Sequence, residues 1–140
     1  MIVADTGAVL ALIDADDRHH PRLREAFKAN PDAWILPWAI LPEVDYLLST
    51  HLGPRAEEAF LADLASGAFS VEWGSEADLV EATRISKRHR AHRLGLVDAV
   101  VIAIAERIRP DAIATLDLRH FGALPISGNP KLFPRDLPSP

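Results

Sequence analysis

The chain has 140 residues, of which 49% are hydrophobic and 25% charged, the size and composition of one globular domain. It contains no cysteine, so disulfides, thiolate zinc sites and cysteine nucleophiles are excluded. The formal net charge of −5 excludes a surface that is basic throughout.

No segment is predicted to cross a membrane. The longest apolar stretch, around residues 97–105, contains an acid and is too short to span a bilayer. The amino-terminal residues lack the cationic region, apolar stretch and small-residue cleavage site of a secretory signal. We therefore expect a cytoplasmic protein without membrane contact.

Strand-like and helical segments alternate along the chain, which predicts an α/β fold with a parallel sheet. The first half is predicted to contain a polar loop at 14–21, strands at 2–4 and 34–37, and helices at 7–13, around 23–27, 39–52 and 55–65. The second half is predicted to contain strands at 69–73, 112–116 and 125–126, and helices at 76–91 and 97–107. Residues 128–140, which hold four prolines, are predicted to be an irregular tail after a domain of residues 1–127.

Two aspartates directly follow predicted buried strands. Asp5 comes after the strand at 2–4, and Asp117 comes after the strand at 112–116. Ligands of open α/β sheets bind outside the carboxyl ends of the strands, where both aspartates would lie. Each aspartate also suits a turn or the N-cap of the next helix, so neither position alone identifies a site.

Two further acids lie on predicted helices. Asp98 interrupts a nearly all-apolar helix, where a carboxylate is costly unless a partner compensates it, although a first-turn aspartate also suits the helix dipole. The helix after residue 39 carries Glu43 and Asp45 on opposite borders of its apolar stripe. Helical geometry does not choose between these two.

Several acids at one crevice favour a bound divalent cation. Two carboxylates about 4 Å apart repel by roughly 4 kcal/mol at an effective dielectric constant near 20. Mg²⁺ or Mn²⁺ converts that repulsion into coordination, lowers the pKa of a bound water and stabilises charge at a phosphodiester. The pattern therefore predicts metal-dependent hydrolysis.

A basic segment precedes Asp98. Residues 87–93 contain no acid and four of the fifteen Lys and Arg residues, namely Lys87, Arg88, Arg90 and Arg93. A solvated helix end that complements the helix dipole is the commoner origin of such a run. Contact with a phosphate backbone is the alternative hypothesis, because a local basic patch on an acidic protein can hold phosphates.

Other families share single features of this pattern. Asp-Thr-Gly at 5–7 is a signature of aspartic proteases, but those enzymes are all-β and this chain is mainly helical. Haloacid-dehalogenase phosphotransferases need a second aspartate where this chain has Gly7, and receiver domains need a lysine after a late strand, where only Lys131 is available. His19 and His20 beside three aspartates suit a polar loop better than a metal site.

Taken together, the acidic segments resemble the PIN-domain ribonucleases, and most closely the VapC-type toxins of prokaryotic toxin–antitoxin pairs. The matching features are residues 2–8, the helical acid Glu43, and residues 95–99 and 114–121. The resemblance extends from about residue 1 to residue 126, and the segments come in the expected order and spacing.

The resemblance implies a single PIN-like domain, a short parallel sheet flanked by helices in an α/β/α sandwich, with endoribonuclease activity that depends on Mg²⁺ or Mn²⁺. It favours Glu43 over Asp45 and maps the site onto Asp5, Glu43, Asp98 and Asp117. Asp5 and Asp98 would be the principal metal ligands, with Thr6 and Thr115 as hydroxyls behind them. Gly7 departs from the serine of many relatives, which should alter those hydroxyls without removing the metal.

The resemblance also implies partners. Relatives act on RNA as homodimers and are neutralised by a small partner protein, which predicts a VapB-type antitoxin here. The alternative is a PIN-like module that binds RNA or protein without cleaving, and the retention of all four acids argues against it.

Overall fold

A computed structural model describes residues 1–136, which contain a five-stranded, all-parallel sheet in the order β3-β2-β1-β4-β5. The strands are β1 (Ile2–Ala4), β2 (Trp34–Pro37), β3 (Ser70–Glu72), β4 (Ala112–Ala114) and β5 (Lys131–Phe133). The predicted α/β class with a parallel sheet is therefore confirmed. The central strand, β1, ends directly at Asp5.

Seven α-helices flank the sheet within residues 1–136. They are α1 (Thr6–Ile13), α2 (His20–Ala29), α3 (Leu41–His51), α4 (Pro54–Ser66), α5 (Glu76–Arg88), α6 (Leu96–Ile108) and α7 (Leu118–Phe121). Three short 3-10 helices occupy Pro31–Ala33, Trp38–Ile40 and Arg90–His92. None of the helices in this part of the chain is long and apolar enough to span a bilayer.

The last strand differs from the prediction. Residues 125–126 form no strand, and β5 lies instead within the segment predicted to be an irregular tail. Leu132 and Phe133 are buried, and the Phe133 ring packs edge-on against Trp34 at 6.3 Å between centroids. Pro130 and Pro134, which made this segment look irregular, flank a strand at the sheet edge, where proline is tolerated. Residues 137–140 of the predicted tail lie outside the described residues.

Helix α6 carries the centre of the core and brings Asp98 to the sheet. Residues 99–105 are all buried, and the helix packs against α5, β1 and β2. Its amino terminus therefore reaches the same edge of the sheet as the end of β1. The nearly all-apolar sequence predicted this burial.

A buried carboxylate, Asp78, ties α5 to α6. Its two oxygens accept hydrogen bonds from Arg107 Nε at 2.7 Å and Nη2 at 2.9 Å, and its side chain completes a capping box with Ser75. The Arg107 guanidinium lowers the pKa of Asp78 below its ordinary value. The pair fixes α6 against α5, and thereby the position from which α6 presents Asp98.

Replacing Asp78 with alanine should lower the free energy of unfolding by about 2 kcal/mol at neutral pH, because the variant loses both the ion pair and the cap. The difference from wild type should shrink below pH 3.8, the ordinary aspartate pKa, where the unfolded chain and then Asp78 itself take up protons. Urea unfolding at pH 7 and pH 3 measures both effects. The exposed Asp63→Ala variant on α4 is the control, and an equal loss in that variant would contradict the assignment.

Candidate metal centre

The register of the sheet brings Asp5 and Thr115 side by side. Ala4 of β1 pairs with Ala114 of β4, so the next residue of each strand lies at the carboxyl edge. The Thr115 hydroxyl donates a hydrogen bond to Asp5 Oδ2, and the Ala8 N–H donates to Asp5 Oδ1 at 2.8 Å. Asp5 is thus the N-cap of α1 as well as a strand-end acid, the two possibilities that its position offered.

Thr115 also positions Asp117. The Asp117 N–H donates to the Thr115 hydroxyl oxygen at 3.0 Å, and Asp117 Oδ1 accepts from the His120 N–H at 3.2 Å as the N-cap of α7. One buried hydroxyl therefore links the two strand-end aspartates.

Asp98 meets Asp117 through His120. His120 Nδ1 lies 2.9 Å from Asp117 Oδ2 and 3.3 Å from Asp98 Oδ2. One ligand atom from each of these three residues falls within 4.8 Å of the others, the one such group among the residues that the structure describes. His19 and His20 belong to no such group, and His20 Nδ1 lies 3.1 Å from the Ala11 carbonyl oxygen instead.

Glu43 and Asp45, the two candidates for the fourth acid, have different surroundings on α3. Glu43 is exposed, and its negative charge is among the causes that raise the pKa of Asp98. Asp45 faces α4 instead, where its carboxyl interacts with Glu57. The charge of Glu43 therefore acts on Asp98, whereas Asp45 interacts with a residue of α4.

Burial and the neighbouring negative charges both disfavour the charged forms of Asp5 and Asp98. Burial, opposed by the hydrogen bonds from Thr115 and Ala8 and reinforced by the charges of Asp98 and Asp117, raises the pKa of Asp5 to about 7. Burial, followed by the charge of Asp117, also raises the pKa of Asp98. A group of carboxylates with this excess of negative charge is a place for a cation.

The donor set fits a hard divalent cation. Carboxylate oxygens predominate, as Mg²⁺ and Mn²⁺ prefer, and His120 adds one imidazole nitrogen, which Mn²⁺ also accepts. One carboxylate oxygen of Asp5 accepts a hydrogen bond from the Ala8 N–H of α1, and the other accepts one from Thr115. The orientation of this carboxylate is therefore fixed. Thr6, expected behind the ligands, is buried, and its hydroxyl has no hydrogen bond partner among the described residues.

The sequence brings His120 near the site only as a neighbour of Asp117, with no catalytic role, and the structure places it against both Asp98 and Asp117. Its Nε2 lies 3.1 Å from the His92 carbonyl oxygen, which can only accept, so this nitrogen carries a proton. Its Nδ1 is the ring atom that faces the two aspartates. The sequence signal for the contact between His120 and Asp117 was their separation of three residues. That separation brings the two side chains together only in a helix, and the four-residue helix α7 was not predicted.

The structure divides the predicted basic segment between two surfaces. Arg93 lines a cavity of about 360 Å³ together with His92, Arg119 and His120, directly beside the acids. Lys87 and Arg90 line a different cavity with Leu96. All four predicted residues, Arg88 included, are exposed, and none forms an ion pair within residues 1–136.

Replacing Asp5 with asparagine should stabilise the metal-free protein, and the gain should be larger at pH 8 than at pH 5. The raised pKa keeps Asp5 protonated in the folded protein at pH 5, whereas at pH 8 folding must bury its charge. The two gains should differ by about 2 kcal/mol. Thermal unfolding in EDTA at both pH values measures this, with the exposed Asp63→Asn variant as control. A gain that does not depend on pH would contradict the assignment.

Known proteins share this sequence and fold. Residues 2–125 match the family model for the PIN domain. Ribonuclease VapC26 of Mycobacterium tuberculosis is 38% identical over 128 residues, which cover 91% of this chain and 95% of that protein. The crystal structure of Mycobacterium tuberculosis VapC20, a sarcin-ricin loop cleaving toxin, has a TM-score of 0.73 at 25% identity, over 81% of this chain and 87% of that one.

A more distant structure has the same fold. FitAcB from Neisseria gonorrhoeae has a TM-score of 0.61 at 16% identity and covers 95% of this chain and 96% of its own. The family model and the VapC26 match together confirm the resemblance seen in the sequence, and the chain belongs to the PIN-domain family.

Proposed function

We propose that this protein is a metal-dependent endoribonuclease and the toxin component of a type II toxin–antitoxin system. The observation that carries the proposal is the convergence of Asp5, Asp98 and Asp117 at one edge of the sheet of a PIN domain. The relationship to ribonuclease VapC26 supports cleavage of RNA, and the structural likeness to the VapC20 toxin supports a toxic role.

Each acid has a role in the proposal. Asp5 and Asp98 would bind Mg²⁺ or Mn²⁺ as principal ligands, and Asp117 and Glu43 would complete the site directly or through water. When bound, the cation would supply an activated water and stabilise charge at the phosphodiester. Thr115 would hold Asp5 and Asp117 in place, with Thr6 beside Asp5.

The basic residues would hold the RNA backbone. Arg93 is best placed, because its cavity adjoins His120 and the acids, and Arg119 extends the same surface. Lys87, Arg88 and Arg90 would contact phosphates farther along the strand. Exposed arginines and lysines that are free of intramolecular ion pairs can bind phosphate without first breaking a bond.

We further propose a cytoplasmic homodimer that a VapB-type antitoxin neutralises. An antitoxin that inserts a basic side chain among the acids would supply the compensating positive charge that burial and mutual repulsion make favourable there. The competing function, a PIN-like module that binds RNA or protein without cleaving, uses the same surfaces but needs no metal.

The purified protein should cleave total cellular RNA into discrete fragments with Mg²⁺ or Mn²⁺ and should not cleave it in EDTA. Asp98→Asn should lower the cleavage rate by at least about a hundredfold, the loss that even indirect partners of a metal cause. Gel electrophoresis of the RNA and Mn²⁺ titration calorimetry measure cleavage and metal binding separately.

The matched control for this experiment is Asp45→Asn, which makes the same chemical change at an acid of α3. This variant should retain cleavage, because Asp45 faces Glu57 rather than the site. Undiminished cleavage by Asp98→Asn would exclude the site assignment. RNA binding without cleavage by folded, Mn²⁺-loaded protein would favour the non-cleaving module.

Replacing Arg90 and Arg93 together with alanine should weaken RNA binding and lower its dependence on salt, because fewer counterions are released from the RNA. Fluorescence anisotropy with a mixed-sequence single-stranded RNA of twelve nucleotides, in the Asp98→Asn background, gives both quantities. Affinity for Mn²⁺, measured in protein that retains Asp98, should not change. The exposed Arg84, paired with Glu81 at 3.3 Å, provides the control Arg84→Ala. Unchanged RNA binding by the double variant would remove the basic patch from the proposal.

A further inference from the structure

A second cavity, which shares no lining residue with the Arg93 cavity, adjoins the acidic site at Thr115. It has a volume of about 330 Å³ and is lined by the loop before α2, by the residues that follow β4 and by those that follow β5. Thr115 is part of its wall and also donates the hydrogen bond to Asp5. A group bound in this cavity would therefore lie one side chain from the acidic site.

The wall of this cavity carries positive charge. Arg18 and Arg22 both line it, and Arg22 is held with its guanidinium carbon 5.6 Å from the centre of the Phe133 ring. Arg135 lines it as well and donates two hydrogen bonds, of 2.5 and 2.8 Å, to Asp136. Arg18 lies in the loop between α1 and α2, and Arg22 lies on α2.

The loop that carries Arg18 is fixed by its own aspartates. Asp14 Oδ1 accepts from the Asp16 N–H at 3.0 Å, and Asp17 Oδ1 accepts from the His19 N–H at 2.7 Å. These turns direct the two carboxylates toward the backbone of the loop. Arg18 Nε donates to His19 Nε2 at 3.2 Å, so the cationic side chain lies against an aromatic ring.

The rest of the lining is apolar. Leu116, Leu118 and Pro134 form this part of the wall, and Leu118 is 42% exposed although it is a large aliphatic residue. Cations beside an apolar surface match a nucleotide, whose phosphate needs positive charge and whose base needs an apolar face. The volume is that of a small-molecule site.

We propose that this cavity is a nucleotide subsite, which binds the base and phosphate of the RNA residue next to the bond that is cleaved. The proposal rests on the proposed ribonuclease function and adds a second contact surface for RNA to it. The Arg18–Arg22 cavity reaches the acids through Thr115, and the Arg93–Arg119 cavity reaches them through His120. Arg135 and Pro134 of this cavity lie beyond residues 2–125, which match the family model.

The test compares three variants with the twelve-nucleotide RNA in the Asp98→Asn background. Arg18→Ala should weaken binding by about fivefold and lower the slope of log affinity against log salt by about 0.7, the value for one phosphate contact on a single strand. Leu118→Ala should weaken binding by about threefold without changing the slope, because an apolar contact with a base releases no counterion. Arg24→Ala, an exposed arginine of α2 that lines a different cavity, should change neither.

The outcomes separate this proposal from the proposed function. If wild type cleaves RNA and the Arg90/Arg93 double variant weakens binding, but Arg18→Ala and Leu118→Ala do not, the subsite is wrong and the function stands. If the parent protein binds no RNA and the wild type cleaves none, both are wrong. Hexaglutamate that binds as tightly as RNA, and loses affinity in Arg18→Ala, would show a general site for acidic peptides and overturn the nucleotide assignment. Unchanged thermal unfolding of both variants assigns their effects to binding.

Discussion

The hydrogen bond between Thr115 and Asp5 joins the ends of two adjacent parallel strands, and the rest of the candidate site is arranged around it. It forms because Ala4 and Ala114 are in register at the centre of the sheet. Asp5 is 4% exposed, so its charge depends on the few groups that touch it. The same hydroxyl accepts from the Asp117 N–H, so a single side chain sets the spacing between two acids from different strands.

The fold and three of the acids could be predicted from the sequence because their signals are local. Short apolar runs that end in an aspartate mark parallel strands, and an all-apolar helix marks α6. The choice between Glu43 and Asp45 could not be made in this way, since it depends on tertiary neighbours: Asp45 interacts with Glu57 of α4, and the charge of Glu43 acts on Asp98. Strand β5 was missed because its flanking prolines are typical of irregular segments, and its pairing with β4 is a tertiary contact.

The basic segment illustrates a different limit of linear patterns. Four charges within seven residues look like one patch, but the turn at Arg90–His92 and the left-handed backbone of Arg93 point them to two surfaces. Arg119, far along the chain, joins Arg93 instead. The positive charge near the acids is thus assembled from separate segments of the chain.

The pairing of β5 has a consequence for when the site can form. The Thr115 N–H donates to the Phe133 carbonyl oxygen at 3.0 Å, so the backbone of the residue that holds Asp5 is secured by residues that come eighteen positions later. A ribosome-bound chain that has exposed only its first 130 residues leaves β4 as the sheet edge and this N–H without its acceptor. All four acidic residues would then have been synthesised before β5, whose Phe133 carbonyl holds the backbone of Thr115. A nuclease built in this order completes its site only after β5 has been synthesised.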